Sequence, residues 1–145
     1  MAAGSTIQSV ADADQAGIRI GAARNDTSDL QLTRALKRAE LVRTDSIAAA
    51  LELLRAGGVN AIALNRPSLI ALSATLPGSR VLSDGFADFY SAVAVPKGHD
   101  GWLAYINEFI EDAKASGLVN RMIEKLAMQG VRVAPLGSLA KVNSP

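Results

Sequence analysis

The sequence contains no cysteine and only one histidine, His99. Without cysteine there is no disulfide, no thiolate nucleophile and no cysteine-ligated metal, and a single histidine cannot build a zinc site with ordinary ligand spacing. The chain also lacks both glycine-rich phosphate-binding fingerprints, GxGxxG and GxxxxGK[ST]. We therefore expect neither a metal nor another cofactor, and we disfavour nucleotides as ligands.

The sequence also lacks an excess of charge of one sign and a long apolar run. The formal net charge is +1 with both signs scattered, so no basic surface indicates binding to nucleic acid or to an anionic membrane. No segment approaches the roughly 18 apolar residues of a membrane helix. The N-terminal stretch "MAAGSTIQSVADADQAG" has no basic region followed by an apolar one, and we therefore expect no signal peptide in this sequence.

What is present is enough apolar material for a core, because 49% of the 145 residues are hydrophobic and 20% are charged. The first two thirds alternate short apolar runs with amphipathic segments, separated by glycine, proline and capping residues. This alternation is typical of βαβ units, and it predicts an α/β fold with a mainly parallel, doubly wound sheet. The predicted strands are 18–23, 40–44, 59–64 and 80–83, and the predicted helices are 10–16, 29–39, 47–56 and 67–76.

The alternation changes after Gly85. The stretch "FYSAVAVPKG", residues 89–98, predicts a strand, and two helices follow at 101–116 and 118–129. One face of the first of these helices is apolar, and a stripe of this width needs another surface to cover it. The last residues, 136–145, are predicted to be a flexible tail. The stripe consists of Trp102, Ile106, Phe109, Ile110 and Ala113.

Polar residues follow the first predicted strand, in the loop from Arg24 to Ser28. In a parallel α/β sheet this position offers free N–H groups, and the positive end of the next helix, to an anionic group. The hydroxyls of Thr27 and Ser28 can add further donors. The alternative is that Asp26 or Thr27 only caps the helix.

The third predicted strand, within "GGVNAIALNRP", is apolar until it ends on Asn65 and Arg66. In a parallel sheet these residues would lie at the same carboxyl edge as the loop that starts at Arg24, and ligands bind outside that edge. We interpret them as polar groups presented to a crevice. The alternative is that Asn65 is a turn residue and Arg66 begins a solvated helix.

Catalytic patterns are weak. The carboxylates of "EFIED", Glu108, Glu111 and Asp112, lie on the polar side of a helix whose other side is apolar, which is typical of solvated surface. There is no GxSxG elbow, and His99 has no serine or aspartate partner at a telling spacing. We predict that the chain is not an enzyme, although folds that bind ligands can host chemistry.

Several stretches, taken in order, resemble a known family. They are "IQSVADADQAGIRIGA", "NDTSDLQLTRALKRAELVRTDS", "ALELLRAGGVNAIALNRP", "SAVAVPKG" and "FIEDAKASGLVNRMIEK". Together they resemble the second half of the bacterial extracellular solute-binding proteins of the polar amino acid type, the periplasmic receptors of ABC importers. The resemblance runs from about Ile7 to about Pro135 and depends on the ordered set rather than on one motif.

The resemblance implies a lobe of a two-lobed protein that closes on a small polar solute, such as an amino acid or a related organic anion. Residues 1–84 would form the second lobe, 85–98 a strand returning through the hinge, and 99–135 helices that pack on the first lobe. It also implies a periplasmic location and a membrane permease of an ABC transporter as partner. The loop Asn25 to Asp29 would match the family's Gly-Ser-Thr-type loop, which holds a ligand carboxylate, and Asn65 would match an aspartate that pairs with the ligand ammonium.

The chain departs from this pattern in two ways that alter the expected ligand and partners. The loop lacks its glycine, and the Asn65 amide cannot fully pair with a buried ammonium, so we expect a less basic or more anionic solute, with Arg24 or Arg66 helping. The first lobe is absent, which suggests a fragment, an isolated second lobe or a lobe that borrows a partner. The uncovered stripe from Trp102 to Ala113 then predicts a homodimer or a domain-swapped assembly.

A second interpretation remains open from the sequence. The effector-binding domains of LysR-type transcription regulators share the two-lobed fold, and the lack of a signal peptide favours them. The lack of a DNA-binding helix-turn-helix opposes them.

Overall fold

The computed structural model describes residues 1–2 and 4–138, so most of the predicted tail, residues 139–145, lies outside the described part. The chain divides into two compact units, Met1–Asp88 and Phe89–Pro145. The first unit contains α1 (Val10–Ala13), β1 (Arg19–Ala23), α2 (Thr27–Ala35), β2 (Glu40–Thr44), α3 (Ile47–Arg55), β3 (Ala61–Ile62) and α4 (Arg66–Ser73). The second contains α5 (Asp100–Ala115) and α6 (Leu118–Lys125).

The first unit is built on a three-stranded sheet with the order β2-β1-β3. Both strand pairs are parallel, with Ile20 opposite Leu41 on one side and Ala61 on the other. The predicted α/β fold with a parallel sheet is therefore confirmed. Since β1 lies in the centre, the chain leaves it towards β2 and later returns to its other side as β3.

The helices cover both faces of this sheet. On one face Ile20 belongs to the same buried cluster as Leu32 of α2. On the other face, a Cβ added at Gly21 would lie 3.6 Å from Ala50 of α3 and 3.4 Å from Ile62. Glycine at position 21 therefore lets α3 pack close to the central strand, and any side chain larger than alanine would overpack that contact.

Side chains that cap helices fix where several of these elements begin. Ser9 forms a capping box with Asp12 at the start of α1, and Ser46 accepts the N–H of Ala49 at the start of α3. Asn65 does the same for Ser68 at the start of α4. The positions of these helices could be predicted because each cap is local in the sequence.

The predicted helix 29–39 is wrong at both ends, since α2 runs from Thr27 to Ala35. The Asp14 carboxylate accepts the N–H groups of Lys37, Arg38 and Ala39 at 2.8–3.1 Å. These bonds hold residues 37–39 as a turn instead of a further helical turn. The same N–H groups, with that of Ala39 first, lower the pKa of the Asp14 carboxyl.

Two predicted strands are not strands in the structure. Residues 80–83 make no sheet ladder, and the Arg66 guanidinium instead binds the carbonyl oxygens of Leu82 and Ser83 at 2.6 and 3.1 Å. Residues 89–98 form neither helix nor strand. They belong to the second unit, whose described residues contain no other strand, so the ladder hydrogen bonds that would define a strand have no partner there.

The second unit is a pair of helices joined at Gly117, which has a left-handed φ of 73°. Lys114 donates to Glu111 at 2.6 Å and to the Pro135 carbonyl at 2.7 Å, while the N–H of Gly137 donates to Glu111 at 2.9 Å. These bonds hold the first residues of the predicted tail against α5. The Lys114 hydrogen bond is the main cause that lowers the pKa of Glu111.

Candidate functional site

The carboxyl edge between β1 and β3 is the candidate site. Gly21 lies opposite Ile62 in these parallel strands, and three residues further along each strand come Arg24 and Asn65. Neighbouring strands lie about 4.8 Å apart, so the tips of the first and third strands are adjacent, as the sequence predicted. The chain passes from β1 to β2 on one side of β1 and then crosses to β3 on the other side, so the strand order reverses at this edge. Open α/β sheets bind ligands at such a topological switch point.

The loop after β1 turns sharply at Asn25, whose φ of 62° is left-handed. A left-handed backbone favours glycine, and asparagine is among the residues that tolerate it best. The N–H of Asn25 donates to Asp29 at 2.9 Å, and the N–H of Arg24 donates to the Thr44 carbonyl at 2.8 Å. The loop is therefore tied to α2 and to β2.

The Asp29 side chain, in the first turn of α2, holds this loop in place. The Asp29 side chain is only 5% exposed, and its carboxylate accepts the Nε–H of Arg43 at 2.8 Å. Arg43 also donates to the Thr33 hydroxyl at 2.7 Å. The N–H of Asn25 first, and then the Arg43 guanidinium, lower the pKa of the Asp29 carboxyl, against the opposing effect of burial. Asp29 is thus an ionised, paired carboxylate whose role is to position the loop.

Three of the remaining loop side chains are available to a ligand. Within the described residues, the side chains of Arg24, Asn25 and Thr27 are exposed and make no hydrogen bond or ion pair to protein. Ser28 is nearly buried at 2% exposure. The Asp26 carboxylate accepts the N–H of Thr27 at 2.6 Å, so part of the capping alternative is also correct.

At the end of β3, Asn65 caps a helix and Arg66 holds a neighbouring segment. The Asn65 side-chain oxygen caps α4 by accepting the Ser68 N–H at 3.0 Å, while the residue itself is exposed at the edge. Arg66 donates to three successive carbonyls, those of Leu82, Ser83 and Asp84. Its guanidinium therefore fastens the segment 82–84 beside the site.

Sequence reasoning did not single out Arg43 and Thr33, which complete the Asp29 network. Arg43 shares a strand face with Leu41, which packs against the buried cluster on the α2 side of the sheet. The signal available in the sequence was that Arg43, a charged residue, lies on the strand face that packs against α2. Its partner, however, lies on another element, and the spacing along the chain does not identify it.

A concave region with a volume of about 690 Å³ lies elsewhere, beside β2 and α3. None of the predicted site residues lines it, and its one cation, Arg43, is already paired with Asp29. It offers no converging set of polar groups, so we do not regard it as the binding site. Its lining residues are Arg43, Thr44, Asp45, Ala49, Glu52, Leu53 and Ala56.

Neither a metal-binding cluster nor a membrane-spanning helix is present in the described part of the chain. Residues 1–2 and 4–138 contain no group of three or more histidine, cysteine or acidic side chains placed to hold a metal ion. Among the same residues, no helix combines the length and the apolar character needed to span a bilayer.

Comparisons with known proteins give one informative likeness. No protein-family model matches the chain, and no curated protein matches it. The structure is similar to the crystal structure of an ancestral amino acid-binding protein, a precursor of cyclohexadienyl dehydratase, with a TM-score of 0.57 and 16% sequence identity. The match covers 84% of this chain and 51% of that one, so this chain spans about half the length of the matched protein. The likeness shows a shared fold, that of a lobe of the type 2 periplasmic-binding-protein kind.

Proposed function

We propose that the chain is a solute-binding lobe that takes an anionic group of a small polar solute, such as the carboxylate of an amino acid or a related organic acid. The observation that carries the proposal is the loop Arg24 to Ser28. It lies at the switch point of a parallel sheet, it leads directly into the N-terminus of α2, and the Asp29–Arg43 pair holds it in place. The fold shared with an amino acid-binding protein agrees with it.

The chemistry of the edge favours an anion. Arg24 provides an exposed guanidinium, and the N-terminus of α2 provides the positive end of a nine-residue helix. The Asp29 charge is balanced by Arg43, so it does not repel a carboxylate as a free aspartate would. In this proposal the exposed hydroxyl of Thr27 donates to the bound group, whereas Ser28, at 2% exposure, packs inside the protein.

Across the edge, the Asn65 amide would meet the rest of the solute. Its oxygen is used by the helix cap, which leaves the amide N–H₂ to donate. A donor at this position suits an oxygen of the solute better than an ammonium group. We therefore propose an organic acid or an acidic amino acid rather than a basic one, with Arg66 acting indirectly by holding the segment 82–84.

At the level of the cell, we propose that the chain serves uptake. It would be part of a receptor that works outside the cytoplasmic membrane and delivers solute to an ABC-type permease in that membrane. The support is the ordered sequence resemblance together with the shared fold. The fold is shared with a precursor of a dehydratase, so a later gain of chemistry at this edge is compatible with the same architecture.

Thermal-shift screening against amino acids and small organic acids tests this function. A solute at about ten times its Kd should stabilise the folded chain by about 1.4 kcal/mol, because it binds only the folded state. For a solute that raises the melting temperature, Thr27→Ala should raise the Kd by about 2- to 10-fold through loss of one hydrogen bond. The matched control is Thr6→Ala, at an exposed threonine that belongs neither to the loop Arg24–Ser28 nor to the end of β3, which should leave the Kd unchanged. Equal binding by wild type and the Thr27 variant would count against the site.

A further inference from the structure

The two units differ sharply in how much apolar surface they expose. The described residues of the first unit expose two large apolar side chains, Leu30 and Ile47. The second unit, although shorter, exposes many more. Contiguous apolar surface of this kind marks an interaction site on a folded chain. The exposed apolar residues of the second unit are Phe89, Tyr90, Val93, Trp102, Leu103, Tyr105, Phe109, Leu118, Met122, Leu126, Met128 and Leu136.

Each helix of the second unit carries one exposed apolar stripe. The α5 stripe is Trp102, Tyr105 and Phe109, with exposures of 69%, 70% and 57%. Only part of the apolar face predicted from the sequence is therefore open, because Ile106 and Ile110 are half-buried and Ala113 is buried. The spacing of three and four residues places the three aromatic side chains on one side of the helix.

The second stripe, the α6 stripe, is Leu118, Met122 and Leu126. Its members are four residues apart and therefore form a row along α6 and its C-cap. Val119 and Ile123, the other apolar residues of this helix, are half-buried. Both helices thus use one apolar side within the unit and leave a second side open.

The charges that border the two stripes are opposite in sign. On α5, Glu108 and Asp112 lie next to Tyr105 on the helical wheel; on α6, Arg121 and Lys125 lie next to Leu118. None of these four charges makes an ion pair within residues 4–138, although Arg121 donates to the Ser116 carbonyl. We call the first pair the acidic border and the second pair the basic border.

We propose that a second copy of this chain covers both stripes, with α5 of each copy packed against α6 of the other. In a twofold arrangement this contact occurs twice, and each acidic border meets the partner copy's basic border. No single-sign surface, such as an anionic membrane, complements both borders at once.

The available area agrees with a dimer. An aromatic side chain presents about 150–250 Å², so the three residues of the α5 stripe expose about 300–500 Å² per copy. The α6 stripe adds three further apolar side chains to each side of the contact. The sum approaches the roughly 800 Å² per partner that is usual for a stable interface.

Sedimentation analysis of the full chain, from micromolar to near-millimolar concentration, tests the proposal. Trp102 is the only tryptophan, so its emission should shift to shorter wavelength as the dimer forms and buries it. Phe109→Ser should abolish both the dimer and the shift, with helix content by circular dichroism confirming that the variant folds. The control Leu30→Ser, at an exposed leucine outside both stripes, should dimerise as wild type does.

A charge swap identifies the occupant. Glu108→Lys and Lys125→Glu should each raise the dimer Kd by at least about fivefold. Mixed in equal amounts, the two variants should form a heterodimer with a Kd near that of wild type. In this heterodimer one of the two lysine–glutamate contacts is retained, and the other is restored with its two partners exchanged. A wild-type chain that remains monomeric throughout, or a mixture that associates no better than either variant alone, would overturn the proposal.

Discussion

Replacing Leu32 with alanine should lower the free energy of unfolding by about 2–5 kcal/mol, the usual cost of removing a fully buried leucine side chain and leaving a cavity. Leu32 is 3% exposed and packs with Ile20 and Ala61 beneath α2. The same cluster positions α2, whose N-terminus forms one side of the candidate site. Urea unfolding followed by circular dichroism would measure the change.

The matched control for this substitution lies two residues away on the same helix. Leu30 is 51% exposed, so Leu30→Ala should change the free energy of unfolding by less than about 0.5 kcal/mol. Similar losses for both variants would mean that α2 does not present Leu32 to the sheet as described.

Replacing Arg43 with alanine should lower the melting temperature by more than about 5 °C, since it leaves the nearly buried Asp29 carboxylate without its ionic partner. It should also weaken solute binding, because Arg43 no longer fixes the Asp29 carboxylate that accepts the N–H of Asn25. Arg43→Lys should fall between wild type and alanine, as lysine keeps the charge but loses the fork that reaches both Asp29 and Thr33. The control Arg34→Ala removes an exposed arginine of α2 that makes no ion pair among the described residues.

The effect of Arg43→Ala should depend on pH in a defined direction. The pKa of Asp29 is lowered in the folded chain, by the Asn25 N–H first and by Arg43 after it. A carboxyl with a lowered folded pKa stabilises the fold above its ordinary pKa, about 3.9, and loses that contribution as the pH falls through the lowered value. The difference in melting temperature between wild type and variant should therefore be largest near neutral pH and shrink below about pH 4. A difference that does not change with pH would argue that the variant acts through packing alone.

Elements whose signals are local were well predicted from the sequence. The strand 40–44 matches β2 residue for residue, and the helix after Ser46 begins at its cap. These assignments depend on β-prone residues and capping chemistry within a few positions, which the chain displays directly.

Elements that depend on distant partners were not predicted. The end of α2 is fixed by Asp14, about 23 residues earlier in the chain, and residues 80–83 are held by Arg66 instead of by a sheet neighbour. The segment 89–98 has strand-forming residues, but a strand also needs a neighbour with free backbone groups. The sequence of a segment sets its propensity for helix or strand, but contacts with distant residues determine which structure it adopts.

The candidate site likewise has features that were predicted from local sequence and others that depend on distant residues. The sequence predicted that Arg24 and Asn65 lie at one sheet edge, because both follow apolar strands and parallel strands end together. It did not predict that Asp29 and Arg66 would be engaged by Arg43 and by the carbonyls of 82–84. In the structure, these two residues hold the loops around the site through contacts within the protein.

Nuclear magnetic resonance would show whether an anionic solute binds at the edge between β1 and β3. The ¹⁵N-labelled chain would be titrated with acidic amino acids and small organic acids while every backbone amide is followed. Saturable shifts are expected at residues 24–29 and at Asn65, while the amides of α5 and α6 should not move. Saturable shifts confined to the groove between β2 and α3, or no shifts at millimolar solute, would contradict it.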